Sequence, residues 1–251
     1  MGVPPDISNG NIHGIVTGTV KENYNKDFPG KVRIELFLGE NGKNVTGWIP
    51  VMSSYAGTNH GSYILPEVGS EVVVAFQMGD RNRPIVLGSL WSDKNNLPEN
   101  VSTEKNTTKK FITKGENELL IDDTQDKQKI TVKTKNGKGI EIDEEKDRIS
   151  LYDKDNKNSI TIDSKKGEIT ISADKKIILK VGGSEAAVFD GSSKKISLKS
   201  TTIELKADKD FNAKGQTTKI DGTSVKVNGA SSLQLSSSGS TQVKGTMVKI
   251  N

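Results

Sequence analysis

The feature that most constrains the fold is a three-residue unit, apolar-polar-apolar, that recurs between polar turns through the C-terminal half of the chain. It occurs as Leu119-Leu120-Ile121, Ile130-Thr131-Val132, Ile140-Glu141-Ile142, Ile149-Ser150-Leu151, Ile160-Thr161-Ile162 and Ile169-Thr170-Ile171. It continues as Ile177-Ile178-Leu179, Ile196-Ser197-Leu198, Ile203-Glu204-Leu205, Val225-Lys226-Val227, Leu233-Gln234-Leu235 and Val248-Lys249-Ile250. Side chains alternate across a β-strand, so each unit has one apolar and one polar face. Such self-similarity marks a solenoid or β-helix. Two apolar side chains per strand are too few to close a core around one chain. Three chains wound about a common axis can each supply one wall, with apolar faces meeting on the axis and strand edges pairing between chains. The pattern predicts a homotrimeric needle, and about 15 layers at about 4.8 Å give it a length on the order of 70 Å.

Composition alone argues for disorder in this region. From residue 101 onward only Phe111, Tyr152, Phe189 and Phe211 are aromatic, and Lys, Asp, Glu, Ser, Thr, Asn and Gly predominate. The periodicity overrules that inference. Residues 1–100 differ: they carry both tryptophans, three of the four tyrosines and three of the six phenylalanines, enough to build a compact core. Strands are expected at 12–22, 31–38, 47–51, 71–76 and 84–90, the last two joined by the polar turn Gly79-Asp80-Arg81-Asn82-Arg83. Five short strands in about 80 residues predict a small barrel of the oligonucleotide/oligosaccharide-binding (OB) type. The expected organisation is all-β: an OB head over 1–92, a linker over 93–112 that lacks apolar periodicity, and an intertwined trimeric β-helix over 113–251.

The 36 basic and 32 acidic side chains are interleaved, so no strong field points to nucleic acid. The first 100 residues hold 8 basic and 10 acidic groups, which argues against a basic OB groove for single strands. After Asp221 no acidic residue remains. With no cysteine, disulfides and thiolate metal sites are excluded. Met1-Gly2-Val3-Pro4-Pro5-Asp6 does not form a signal peptide, and no apolar run reaches membrane-spanning length. Assembly in the bacterial cytoplasm is expected. Asp153-Lys154-Asp155-Asn156-Lys157-Asn158 opens like a calcium loop but lacks the glycine and the closing glutamate, so a polar turn is expected. Asp122, Asp123, Asp126, Glu144 and Glu145 have no neighbouring His and are assigned to solvated faces. Arg81 and Arg83 are assigned to tying a hairpin. No catalytic residue, metal site or cofactor is expected.

The run Ile64-Leu65-Pro66-Glu67-Val68-Gly69-Ser70-Glu71-Val72-Val73-Val74-Ala75-Phe76, followed by Gly79 to Trp91, resembles the signature of the phage baseplate assembly protein V and VgrG spike proteins. Pro29-Gly30-Lys31-Val32-Arg33-Ile34, Trp48-Ile49-Pro50-Val51, Leu120-Ile121-Asp122-Asp123-Thr124 and Gly245 to Asn251 are also similar. The resemblance implies a structural spike of a contractile injection apparatus. An OB head would dock on a hub protein, a triple β-helix would pierce the target envelope in transient contact with its membrane, and a PAAR-repeat protein would cap the tip. The spike would form part of a virion, secretion system or extracellular injection particle. A separate hub is expected, because the OB strands start near Met1. No lysozyme domain is inserted, and the only histidines, His13 and His60, lie in the head, so an iron-binding His-x-His apex is absent. Tip-protein binding is expected at Met247, Val248, Lys249, Ile250 and Asn251. The other reading is a trimeric tail fibre that binds a receptor, which requires a distal globular tip.

Overall fold

The computed structural model describes residues 11–38 and 43–250, and these are all-β apart from one 3-10 turn, Gln77–Gly79. The head comprises β1 (Ile15–Glu22), β2 (Lys31–Leu36), β3 (Ile49–Pro50), a short hairpin of β4 (Ala56–Gly57) and β5 (His60–Gly61), β6 (Glu71–Phe76) and β7 (Pro84–Ser89). The main sheet has the order β3-β2-β1-β6-β7. It nearly closes, because Val51 makes a parallel bridge to Val86 and the Met52 amide donates to the Val86 carbonyl at 2.8 Å. Alternation fills the interior. Val16 and Val20 from β1, Val32 and Ile34 from β2, Val72, Val74 and Phe76 from β6, and Val86 from β7 form one buried cluster with Ile12 and Ile49. β-Branched side chains suit both the pleat and the narrow bore.

Between β6 and β7 the chain turns through two left-handed residues, Met78 (φ 51°) and Gly79 (φ 81°). Backbone bonds from Asp80 to Gln77 and from Arg83 to Asp80 fix this turn. The short hairpin β4–β5 was not legible, since Ala-Gly and His-Gly carry no strand signal.

The repeat region contains β8 (Thr108–Ile112), β9 (Glu118–Asp122), β10 (Lys129–Lys133), β11 (Gly139–Asp143), β12 (Arg148–Tyr152), β13 (Ser159–Asp163) and β14 (Glu168–Ser172). They form a seven-stranded antiparallel meander in simple sequence order. β8 falls within the 93–112 segment expected to be linker, and pairs Phe111 with Leu119. Edge pairing between chains was expected throughout the needle. Here, instead, each strand from β8 to β14 pairs with its own neighbour in the chain. The reason is local: the connections are short hairpins. In five of the six the tight turn puts one residue in the left-handed region, namely Glu116, Asp126, Gly137, Asp147 and Gly167, and Asn156 does so in the sixth. Short loops make the nearest partner the cheapest one to reach.

A second, three-stranded sheet follows: β15 (Lys176–Val181), β16 (Ser184–Asp190) and β17 (Lys195–Leu198), with Gly182-Gly183 turning the first hairpin. The chain divides into two compact units. One runs to Ile177 and includes Phe189–Lys195, and the other comprises Ile178–Val188 and the chain from Ile196 on. From Lys199 to Ile250 no residue lies in a strand and every residue is exposed, although the apolar-polar-apolar units continue there.

Gly18 sits where β1 crosses β2. A Cβ there would lie 2.5 Å from the Glu35 carbonyl oxygen and 2.6 Å from Ile34 Cγ2. Backbone cannot yield as a side-chain tip can, so Gly18→Ala should destabilise the head by about 1–3 kcal/mol. Gly88→Ala, where nothing lies within 4 Å, should shift it by less than about 0.5 kcal/mol. Thermal unfolding of the two variants beside the parent checks this.

Candidate functional site

The surface that distinguishes this chain is the seven-stranded sheet, because its two faces are reversed relative to an isolated soluble sheet. Within each five-residue strand the second and fourth side chains share one face. Register aligns them into two continuous columns. One runs Leu119, Val132, Ile140, Leu151, Ile160, Ile171, and the other Ile121, Ile130, Ile142, Ile149, Ile162, Ile169. Most of these side chains are open to solvent: Ile140 is 47% exposed, Leu151 50% and Ile169 71%. Alongside the first column lies an open apolar trough of about 780 Å³, edged by Phe111, Leu119, Val132 and Ile160.

The other face is polar, and the residues it buries are charged or hydroxylic: Glu118, Thr131, Asp143 and Asp163. Its burial comes from cross-strand ion pairs. Along one border, residues directly opposite each other alternate in sign through Asp122, Lys129, Asp143, Arg148 and Asp163. Lys129 Nζ lies 2.8 Å from Asp143 Oδ2, and Lys146 Nζ lies 3.0 Å from the same oxygen. The Arg148 guanidinium reaches Asp163 at 3.2 Å. At the opposite border Glu118 is held between Lys110 at 2.8 Å and Lys133 at 3.1 Å. Long basic side chains lay their methylenes over the sheet while their ends reach the carboxylates.

Each of these aspartates also closes the turn that follows it. The Lys146 amide donates to Asp143 Oδ1 at 3.0 Å, the Lys166 amide to Asp163 Oδ1 at 3.1 Å, and the Thr124 amide to Asp122 Oδ1 at 2.9 Å. In the three-stranded sheet Asp190 does the same for Ser193 at 3.1 Å and pairs with Lys176 at 2.8 Å. The sequence expectation of a solvated face for Asp122 is corrected here: it is half-buried and stands opposite Lys129. The signal that marks these aspartates is an apolar residue followed by Asp at the strand end: Ile121-Asp122, Ile142-Asp143, Ile162-Asp163 and Phe189-Asp190.

The bonds set the protonation behaviour. The Lys129 ammonium holds the Asp143 carboxyl far below its ordinary range, against an opposing push from burial. Burial raises Glu118, but hydrogen bonds from Lys110 and Lys133 outweigh it and the net shift is downward. The Lys176 ammonium and the turn amide lower Asp190 to about 2. None of these groups is poised to exchange a proton near neutrality, as an acid–base catalyst must.

The remaining sequence expectations are placed as follows. Asp153 Oδ1 accepts from the Lys157 and Asn158 amides, so the calcium-like segment is a hydrogen-bonded turn. Among the described residues no group of three His, Asp or Glu side chains is arranged to hold a metal. Among the described residues no helix is long and apolar enough to cross a membrane. Met247, Val248, Lys249 and Ile250 are exposed and outside any strand, and Asn251 lies outside the described residues.

Folded pKa values below the unfolded ones mean that these carboxylates stabilise the sheet above about pH 4, and that this stability is lost as pH falls through the folded values. Urea resistance should therefore stay level from pH 7 to 5 and fall between about pH 4 and 2. Asp143→Asn should cost about 1–3 kcal/mol per chain at pH 7 and flatten the acid limb, as read by urea titration across that range.

Residues 16–91 match the family described as the type VI secretion system/phage-baseplate injector OB domain. The chain is similar to the type VI secretion system spike protein VgrG5 of Pseudomonas aeruginosa, 34% identical over 127 residues, covering 47% of this chain and 16% of that protein. It is also similar to VgrG1c of the same species, 25% identical over 150 residues, covering 56% of this chain and 21% of the relative. VgrG3 of Vibrio cholerae is 32% identical over 87 residues, covering 33% and 9%. The chain thus spans about a fifth or less of the length of these relatives. The head matches the injector OB-domain family of type VI secretion systems and phage baseplates over residues 16–91, and the chain is similar to VgrG-type spike proteins.

Proposed function

We propose that the chain is the central spike subunit of a contractile injection apparatus and works as a homotrimer. Residues 1–92 form the head that docks on a hub protein, 93–112 lead out of it, and 113–251 form the needle that pierces the target envelope. One observation carries this reading. The seven-stranded sheet buries charges and exposes two columns of Ile, Leu and Val, an arrangement that water disfavours for a chain alone. Three copies about one axis would bring the columns together in a dry core and leave the ion-paired face outward. Similarity to type VI secretion spike proteins supports the kind of apparatus.

The needle uses two modes of construction. In β8–β14 the hydrogen bonds are supplied within each chain and only the apolar faces need partners. Beyond Lys199 the chain supplies neither, so both hydrogen bonds and core come from neighbouring copies winding together. The role is structural, without catalysis or cofactor: axial force is carried by packed strand layers. The particle would be assembled in the bacterial cytoplasm, and the spike touches the target membrane only in passing. At the distal segment, the apolar Met247, Val248 and Ile250, with Lys249 and Asn251 beside them in sequence, would bind a PAAR-repeat tip protein.

Sedimentation equilibrium should return the mass of three chains at micromolar concentration, and a monomer would overturn the reading. Replacing Ile160 and Ile162 by Asp puts six charges on the axis, at a cost of several kcal/mol per trimer. That variant should lose its trimeric mass and its protease resistance.

Deleting Met247 to Asn251 should leave a trimer that no longer captures a PAAR-repeat protein in a pull-down. Undiminished capture would place the contact elsewhere.

A further inference from the structure

The hairpin turns of the seven-stranded sheet fall on two opposite edges, and around β10 and β11 the two edges differ in charge. One edge carries the turns 113–117, 134–138 and 153–158, and the other carries 123–128, 144–147 and 164–167. Turn 134–138 has Lys135 and Lys138 and no acid. On the opposite edge, the two turns that flank this level are acidic: 144–147 has Glu144, Glu145 and Asp147 against one lysine, and 123–128 has Asp123 and Asp126 against one lysine, whereas 164–167 further along carries Lys165 and Lys166.

These charges are only partly satisfied within the chain. Lys127 pairs with Glu145 at 2.7 Å, Lys146 turns inward to Asp143, and Lys135 reaches Glu116 on its own edge at 2.7 Å. Lys138, Asp126, Glu144 and Asp147 make no ion pair among the described residues. They cannot reach one another across the sheet: Lys138 immediately precedes β11 and Glu144 immediately follows it, so a five-residue strand of about 17 Å separates them.

We propose that the two edges dock on each other between copies, with the Lys135–Lys138 turn of one copy seated between the acidic turns 123–128 and 144–147 of the next. This rests on the trimeric reading above. In a closed ring every contact is heterologous, so one edge always meets the other edge of the neighbour and never its own kind. Copies at equal height place Lys138 level with the neighbour's Glu144, because both flank β11. A two-fold pairing centred at the level of the Lys135–Lys138 turn would instead set the acidic turns 123–128 and 144–147 against each other. The charge division therefore selects the cyclic order and fixes the axial register of the three chains, as repulsion against wrong partners does at other specific interfaces.

The test uses the full chain, which has no cysteine of its own. A Lys138→Cys, Glu144→Cys variant should oxidise to a covalent trimer on a non-reducing gel. Bridging within one chain is barred, since a disulfide needs Cα atoms within about 7 Å. Either single variant should run as a monomer. Lys135→Glu with Lys138→Glu should lower the urea midpoint for trimer loss at low salt, corresponding to at least roughly a tenfold weaker association, and the deficit should shrink in about 1 M NaCl. Adding Asp126→Lys and Glu144→Lys should restore the midpoint. Absence of cross-linking in a trimer of normal mass, or charge reversals without effect, would overturn the inference and leave the trimeric spike standing. A monomeric parent would overturn both.

Discussion

The structure depends on the strict two-residue alternation of side chains in strands only five residues long. With so short a strand, two positions face one way and three the other, and no chain can wrap such strips around a core of its own. The alternation gives the apolar positions to one face, and register stacks them into columns, Ile142 on Ile149 on Ile162. Everything on the opposite face follows from what is left. Its borders are strand ends, and charges there can pair directly across the ladder.

That opposite face resolves an apparent contradiction in composition. A chain so rich in Lys, Asp and Glu has the makings of a disordered segment, yet here the charges are what is buried. Asp143 is 2% exposed because Lys129 and Lys146 cover it, and its second oxygen position closes the next turn. One residue type thus fixes register and turn together. Exposed ion pairs contribute little alone, but a repeated ladder with shared partners resists slipping by one residue, which would set every pair out of step.

The sequence disclosed much of this. In the head, β6 falls where its near-continuous apolar run placed it, β2 falls within the alternating run 31–38, and β1, β3 and β7 fall within the expected runs. In the repeat region the apolar triplets marked the strands β9 through β14. Besides the short hairpin β4–β5 and strand β8, two features of the sheet were not legible. Pairing within the chain was not legible because triplets reveal faces but not partners; partners are set by the turns, where Asp126, Asp147 and Asn156, residue types that tolerate left-handed backbone, adopt it together with Glu116. The ion-pair borders were missed because Asp and Lys at strand ends look like ordinary solvated turns until register sets them opposite one another. Beyond Lys199 the triplets persist without strands, so there the sequence and the single chain diverge, as they must if the pairing is completed by other copies.

Hydrogen exchange measures that completion most directly. Residues 203–250 form no strand within their own chain; pairing between copies in the assembled protein predicts exchange there as slow as that of β10–β13. Exchange at the rate of an unfolded chain across 203–250, in a particle whose β10–β13 amides are protected, would contradict the intertwined needle.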